Sequence, residues 1–378
     1  AGHAWLRRQI GASTLPPAFD RFSSAAMASA APDRAVLAGS PEARNRYNQQ
    51  VRRDAVAALS LRAAHAAGTE TPFTERLVWF WANHLAVTGQ SKVRVIPFLM
   101  AYDMEAIRPH IAGRFEDMLI AAARHPAMLH YLDNARSVGP NSSRGRGRDA
   151  GLNENYAREV MELHTIGAGA GYTQNDVLDL ARTLTGWTVR IERAPDGASD
   201  LFAFYARAHE PGSKTVLGRR LPEGEAGGVE ALRMLARHPA TAKRLATKLA
   251  AHFIADAPPP SVVSRLERTW LDTGGDLRAV TLALVEAQDA WRPTPQKFRS
   301  PALHVTATAR ALGAGAEPRI GGALLGAQRD LGQPSYFADL GKALGDVPLE
   351  TWRDYLQVRV VDSFAPYLDS KLVERNFD

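Results

Sequence analysis

With 378 residues, 45% of them hydrophobic and 23% charged, the chain has the composition of an ordinary folded protein and the length of one large domain or two average ones. It contains no cysteine, which excludes disulfides, thiolate metal sites and a cysteine nucleophile, so any metal must be held by His, Asp or Glu. The formal net charge of +6 is dispersed rather than gathered in one stripe, which argues against a nucleic-acid partner, and no apolar run approaches the ~20 residues of a transmembrane segment.

The opening stretch, from Ala1 to Arg8, carries neither an initiator Met nor a signal-peptide apolar core. The expectation is that the native start and any export signal lie upstream, with the bacterial periplasm or cell envelope favoured over the cytoplasm. Helical periodicity then dominates from about residue 41 to 135. Leu77, Phe80, Trp81, His84 and Leu85 recur at the spacing of one helix face, with Thr74 as the expected N-cap. The Gly-, Ser- and Arg-rich stretch from Gly139 to Arg148, which holds the one dense basic run of the sequence, Arg144, Arg146 and Arg148, reads as a flexible surface loop, with phosphate or nucleic-acid contact as the lesser alternative.

A second clear helix runs from Asn153 through His164 and stops at the run from Gly167 to Gly171, where glycine adopts backbone angles other residues avoid. Thr173 and Asp176 have the form of a capping box for a third helix carrying Val177, Leu180, Ala181 and Leu184. Thr188 to Ile191, Leu201 to Tyr205 and Thr215 to Leu217 alternate or are rich in β-formers, and turn signals separate them, so a small antiparallel sheet is predicted. Helices resume over Glu230 to Leu235, after Pro239, and after Thr273 to Asp276, where Leu277, Val280 and Leu284 share a face. Ala123 to Ala127 recurs as Ala236 to Ala240, and the proline in both copies points to shared helix-start chemistry rather than a duplicated domain. The predicted fold class is mainly α: a large multi-helix domain with a small antiparallel β insertion around residues 188–218.

Several segments together resemble the Domain of Unknown Function 1800 (DUF1800) family: Phe80 to Val87, His125 to Asn134, Gly151 to Thr165, Gly171 to Val177 and Leu184 to Trp187, supported by His209 to Gly212 and Gly274 to Leu277. The resemblance covers roughly residues 1–330 and implies a bacterial, mostly helical protein without an established activity. Pro348 to Leu356 and Asp362 to Leu368 instead look like the helical N-terminal region of neprilysin-like zinc metallopeptidases, so residues 331–378 are expected to be a helical tail of different origin, by fusion or truncation. No His-Glu-x-x-His occurs anywhere in the chain, so it cannot itself be that peptidase.

The densest polar cluster inside these motifs is the helix from Asn153 to His164. At ~100° per residue, Asn155, Arg158, Glu159 and Glu162 share one face, while Ala157, Val160, Met161 and His164 share the other. One reading of the carboxylate face is a solvated stripe with Glu154–Arg158 and Arg158–Glu162 pairs. The other makes Glu159 and Glu162 an acid and base pair or two metal oxygens, oriented by Asn155 and Arg158. His84 and His164 each interrupt an apolar stripe and, if those stripes pack together, become either core imidazoles bonded to backbone carbonyls or metal ligands and proton carriers.

His209, Glu210 and Lys214 read as a structural turn or the edge of a pocket, and Trp187 as the anchor of a helix-to-sheet junction. Phosphate-loop, nucleophile-elbow and dinucleotide motifs are absent from the sequence. The leading expectation is a hydrolase-like or lyase-like enzyme acting on an extracytoplasmic polymer through Glu159, Glu162, His84, His164 and Arg158. In its metal-bound form a divalent cation sits on His84, Glu159, Glu162 and His164. The alternatives are a non-catalytic envelope or assembly protein, and a fragment of a fusion with a zinc metallopeptidase.

Overall fold

The computed structural model describes residues 2–11, 14–32, 34–89, 92–146, 151–190, 201–291, 297–316 and 319–333. The N-terminal third consists of α1 (Gly2–Arg8), α2 (Ser24–Ala30), α3 (Arg34–Gly39), α4 (Pro41–Gly68), α5 (Pro72–His84) and α6 (Leu99–Tyr102). The middle carries α7 (Phe115–Arg124), α8 (Pro126–Tyr131), α9 (Glu154–Glu159) and α10 (Gln174–Leu184), then strands β1 (Trp187–Val189), β2 (Phe202–Phe204), β3 (Lys214–Val216) and β4 (Arg219–Leu221). It closes with α11 (Glu225–Arg237), α12 (Pro239–Phe253), α13 (Pro260–Thr273), α14 (Leu277–Val285), α15 (Pro301–Ala311) and α16 (Ile320–Asp330). Among the described residues no helix is long and apolar enough to cross a membrane.

Local chemistry explains most of the boundaries. In both copies of the pentapeptide repeat the histidine is the N-cap and the proline opens the helix: His125 Nδ1 accepts from the Ala127 amide and His238 Nδ1 from the Ala240 amide, each at 3.1 Å. The capping box at Thr173 is complete, with Thr173 Oγ1 accepting from the Asp176 amide and the Asp176 carboxylate from the Thr173 amide. Asp276 caps α14 through the Ala279 amide. The N-cap expected at Thr74 is wrong. Pro72, lacking an amide hydrogen, opens α5 two residues earlier, so Thr74 lies inside the helix, with its hydroxyl donating to the Gln9 carbonyl.

The β insertion is two separate antiparallel hairpins, β1–β2 and β3–β4, rather than one sheet. Leu217, expected at the end of a strand, instead forms the tight turn with Gly218, at φ 49° and 73°. Two left-handed residues in succession make the turn that suits the twist of a two-residue hairpin. Ile191 lies outside the described residues.

The main apolar core gathers α5 and α7 to α14 around Trp81, Phe115, Tyr156 and Trp270, all nearly or wholly buried, with Phe115 packed 5.5 Å from Trp81 and 5.2 Å from Trp270 between ring centres. A second core joins α4, α15 and α16 through Ala63, Val305, Ala309, Ile320 and Leu324. Gly321 lets α16 close on α4, since a Cβ there would fall 1.9 Å from the Ser60 carbonyl oxygen.

Candidate functional site

The motif helix starts where the sequence places it. The Asn153 side chain accepts from the amides of Asn155 and Tyr156 at 3.0 and 3.4 Å, and Tyr156 anchors the helix by donating to the Ala123 carbonyl at 2.8 Å. The helix is α only as far as Glu159. Val160–His164 form a π turn, whose wider hydrogen-bond ring inserts one extra residue, a device that recurs at functional sites. Thr165 closes it through a 2.7 Å bond from its hydroxyl to the Val160 carbonyl, and Gly167, at φ 92°, donates to the Met161 carbonyl.

The π turn leaves carbonyls at its end that need donors. Arg244 supplies one to Leu163 at 2.6 Å, and His84 Nε2 supplies one to His164 at 3.0 Å. A ring nitrogen that donates to a carbonyl leaves the other without a proton, and His84 Nδ1 accordingly accepts from Lys248 Nζ at 2.9 Å. His84 is thereby held as a neutral imidazole with both nitrogens occupied. The ring of His164 has no hydrogen bond among the described residues.

Both rings are 5% exposed. Burial, then the charges of Lys248, His164 and Arg244, push His84 well below the ordinary histidine range, against the backbone bond that favours its protonation. Burial followed by Arg244 and Lys248 pushes His164 down to about 3, and burial with Arg244 brings Lys248 down to about 8. Among the described residues, the charged groups acting on the two rings are Lys248 and Arg244, with His164 also acting on His84.

The expected opposition of the two helix faces holds: Ala157, Val160, Met161 and His164 are buried, whereas Glu159 and Glu162 are half-buried on the other side. Glu162 Oε1 accepts from the Tyr172 hydroxyl at 2.5 Å and from Arg158 at 3.4 Å. Gln174 mediates between Arg158 and Glu154, accepting from Arg158 at 3.0 Å and donating to Glu154 at 2.8 Å, and so replaces the expected direct Glu154–Arg158 pair. Glu159 has no hydrogen bond among the described residues, and burial and the neighbouring Glu162 raise its pKa. The structure thus brings the His84 ring to the backbone of His164 and Glu159 near Glu162, on opposite sides of one helix. Among the described residues no three His, Asp or Glu are grouped to hold a metal ion, so the set of His84, Glu159, Glu162 and His164 is not assembled there.

The His209–Glu210–Lys214 turn fastens a loop. Glu210 receives the Asn141 amide at 2.9 Å and the Asn141 side chain at 2.6 Å, His209 receives the Gly224 amide at 3.0 Å, and Lys214 donates to the Glu210 carbonyl. Trp187 is wholly buried at the junction of α10 and β1, with the Asn134 side chain donating to its carbonyl at 3.1 Å.

Two groups of residues escaped the sequence reading. Arg244 and Lys248 are one turn apart on α12, each followed by a buried leucine, Leu245 and Leu249. The available signal is a basic pair at i, i+4 flanked by apolar residues, which surface helices also show. The second is a buried ion cluster. Arg108 grips Glu75 with two bonds, one of 2.9 Å, His65 lies 3.4 Å from the same carboxylate, and Arg62 pairs with Asp103 at 2.6 Å. Burial would raise the Glu75 pKa, but Arg108 and His65 outweigh it and hold it down at about 2.

Residues 1–340 match the family model described as "Protein of unknown function (DUF1800)". No curated protein and no solved structure matches the chain. The match extends ten residues past the boundary read at 330. Nothing found supports the metallopeptidase resemblance, which was read from residues 334–378, outside the described part of the chain.

Proposed function

Since this chain belongs to the DUF1800 family, whose description carries no activity, we propose its function from the placement of its side chains: a non-catalytic binding or assembly protein. The observation that carries this reading is the engagement of His84, Glu162 and Glu210 with the chain itself, which leaves the His164 ring and Glu159 as the motif groups without a bond among the described residues. His84 caps a π turn and is backed by Lys248, Glu162 is held by Tyr172 and Arg158, and Glu210 holds the loop at Asn141. A proton carrier or metal ligand needs a nitrogen or oxygen free to face a substrate, and these atoms are already bonded within the fold.

The test pairs elemental analysis of protein purified without chelator with thermal unfolding of single variants. The expected result is no stoichiometric metal, a melting temperature several degrees lower in His84→Asn, and one within about a degree of wild type in Glu159→Gln. Stoichiometric metal that is lost in His164→Gln or Glu159→Gln, with the fold intact, overturns the reading.

One observation favours a second reading, the metal-free acid and base pair. Glu159 is the carboxylate of its pair with no bonding partner among the described residues, and its pKa is raised, as a general acid requires. In that reading Glu159 donates the proton while Glu162 is fixed in place by Arg158 and Tyr172. Cleavage of any extracytoplasmic polymer that is abolished by Glu159→Gln without loss of stability would select it over the first.

A further inference from the structure

A cavity of about 300 Å³ lies away from the motif helix, between α1, the end of α4, α5 and α15. Its walls are mostly apolar, with Trp5, Trp79 and Leu303 among them, which is the make-up of a site for a small organic molecule. The polar atoms in the wall are unbalanced. Arg76 Nε, Trp79 Nε1 and Thr306 Oγ1 are all buried without a hydrogen-bond partner among the described residues, and Thr306 is only 8% exposed. All three can donate. The carboxylate that also lines the cavity, Glu75, is occupied by Arg108 and His65, so the wall offers donors and a positive charge but no free acid.

Arg76 sharpens the point. Its guanidinium sits 4.9 Å from the centre of the Phe253 ring and forms no hydrogen bond or ion pair among the described residues. Burial and the like charge of Arg299 lower its pKa to about 10. A partly buried cation without a counter-charge is costly, and that cost is relieved when an anion with two oxygens meets the planar fork of an arginine.

We propose that this cavity binds a small amphipathic carboxylate, such as a fatty or arylalkanoic acid, its acid group against Arg76 and Thr306 and its apolar body against Trp5, Trp79 and Leu303. No residue of the motif helix lines this cavity, so the site stands apart from the function proposed above. An alcohol or ester of the same shape fills the apolar volume equally well but leaves the arginine without its counter-charge, so charge rather than shape sets the affinity.

Isothermal titration calorimetry of the full chain with sodium octanoate, sodium 4-phenylbutyrate and methyl octanoate tests this directly. At least one acid should bind with one-to-one stoichiometry, and at least tenfold more tightly than the ester. Arg76→Met should weaken the acid at least tenfold and leave the ester unchanged, while Thr306→Val weakens the acid by a smaller factor. Should Arg76→Met fail to fold, the comparison of acid with ester on wild type and the Thr306→Val variant still decides. Equal binding of acid and ester, saturable binding by neither acid, or an Arg76→Met variant that folds and keeps its affinity within twofold would each overturn the assignment.

Discussion

Replacing His164 by Gln isolates the pH dependence that a buried neutral imidazole imposes. His164 is 5% exposed, feels the charges of Arg244 and Lys248, and stays unprotonated in the folded chain down to about pH 3. In the unfolded chain the same ring titrates near 6.5. Its folded pKa is therefore depressed, and as pH falls below 6.5 the unfolded state takes up the proton first. Stability is lost from that point downward, and the loss ends only near pH 3. At roughly 1.4 kcal/mol per pH unit below 6.5, the drop from pH 7 to pH 5 attributable to this ring is about 2 kcal/mol. Urea unfolding followed by tryptophan fluorescence at both pH values, in wild type and His164→Gln, measures it as a difference of differences, so any direct cost of the substitution cancels. The pH-dependent loss should shrink by about 2 kcal/mol in the variant. An unchanged loss would mean that the ring protonates in the folded state, and the argument that burial and Arg244 hold it neutral would fail.

Removing Glu75 should be costly, because Arg108 and Glu75 are both about 2% exposed and Arg108 would lose the carboxylate it holds with two bonds, while its contact to Asp103 is longer, at 3.9 Å. Glu75→Ala is expected to lose about 3–5 kcal/mol in chemical denaturation, and a loss under about 1 kcal/mol would show the pair to be solvated. The Glu75 pKa is depressed to about 2, so the stability it contributes is present above the ordinary value of 4.5 and fades as pH falls towards 2; acid titration of Glu75→Gln should lack that component. Gly228→Ala places a Cβ 2.4 Å from the Trp187 ring, and overpacking of about 1–3 kcal/mol with an altered near-ultraviolet tryptophan signal is expected. An unchanged melting temperature in that variant would show that the ring has room to shift.

Much of the helix punctuation was legible in the sequence because it is decided over a few residues. Asn153, Thr173 and Asp276 cap the amides just ahead of them, Pro126 and Pro239 fill first-turn positions, and the opposed faces of the motif helix follow from its spacing. Thr74 failed as a cap because the competing proline stands only two residues earlier, and Leu217 failed as a strand residue because its left-handed backbone is exceptional for a branched side chain. The candidate site was legible as a list of residue types and not as an arrangement. The 100° spacing places Glu159 and His164 on opposite faces, yet nothing local says that His84, 80 residues away, would donate to the backbone of His164 rather than share a ligand with its ring.

The sequence by itself determined the mainly helical class, the family, the capped helix starts and the absence of cysteine chemistry, since each depends on composition, on recurrent motifs or on contacts within a turn. Only the tertiary structure decided the partners. Lys248 reaches His84 across 164 residues, Gln174 comes between Glu154 and Arg158, and Arg76 is brought with Thr306 to the wall of one cavity. The physical reason is that hydrogen bonds and ion pairs are satisfied by whichever group packing delivers, and packing is settled by the apolar faces of the whole chain at once.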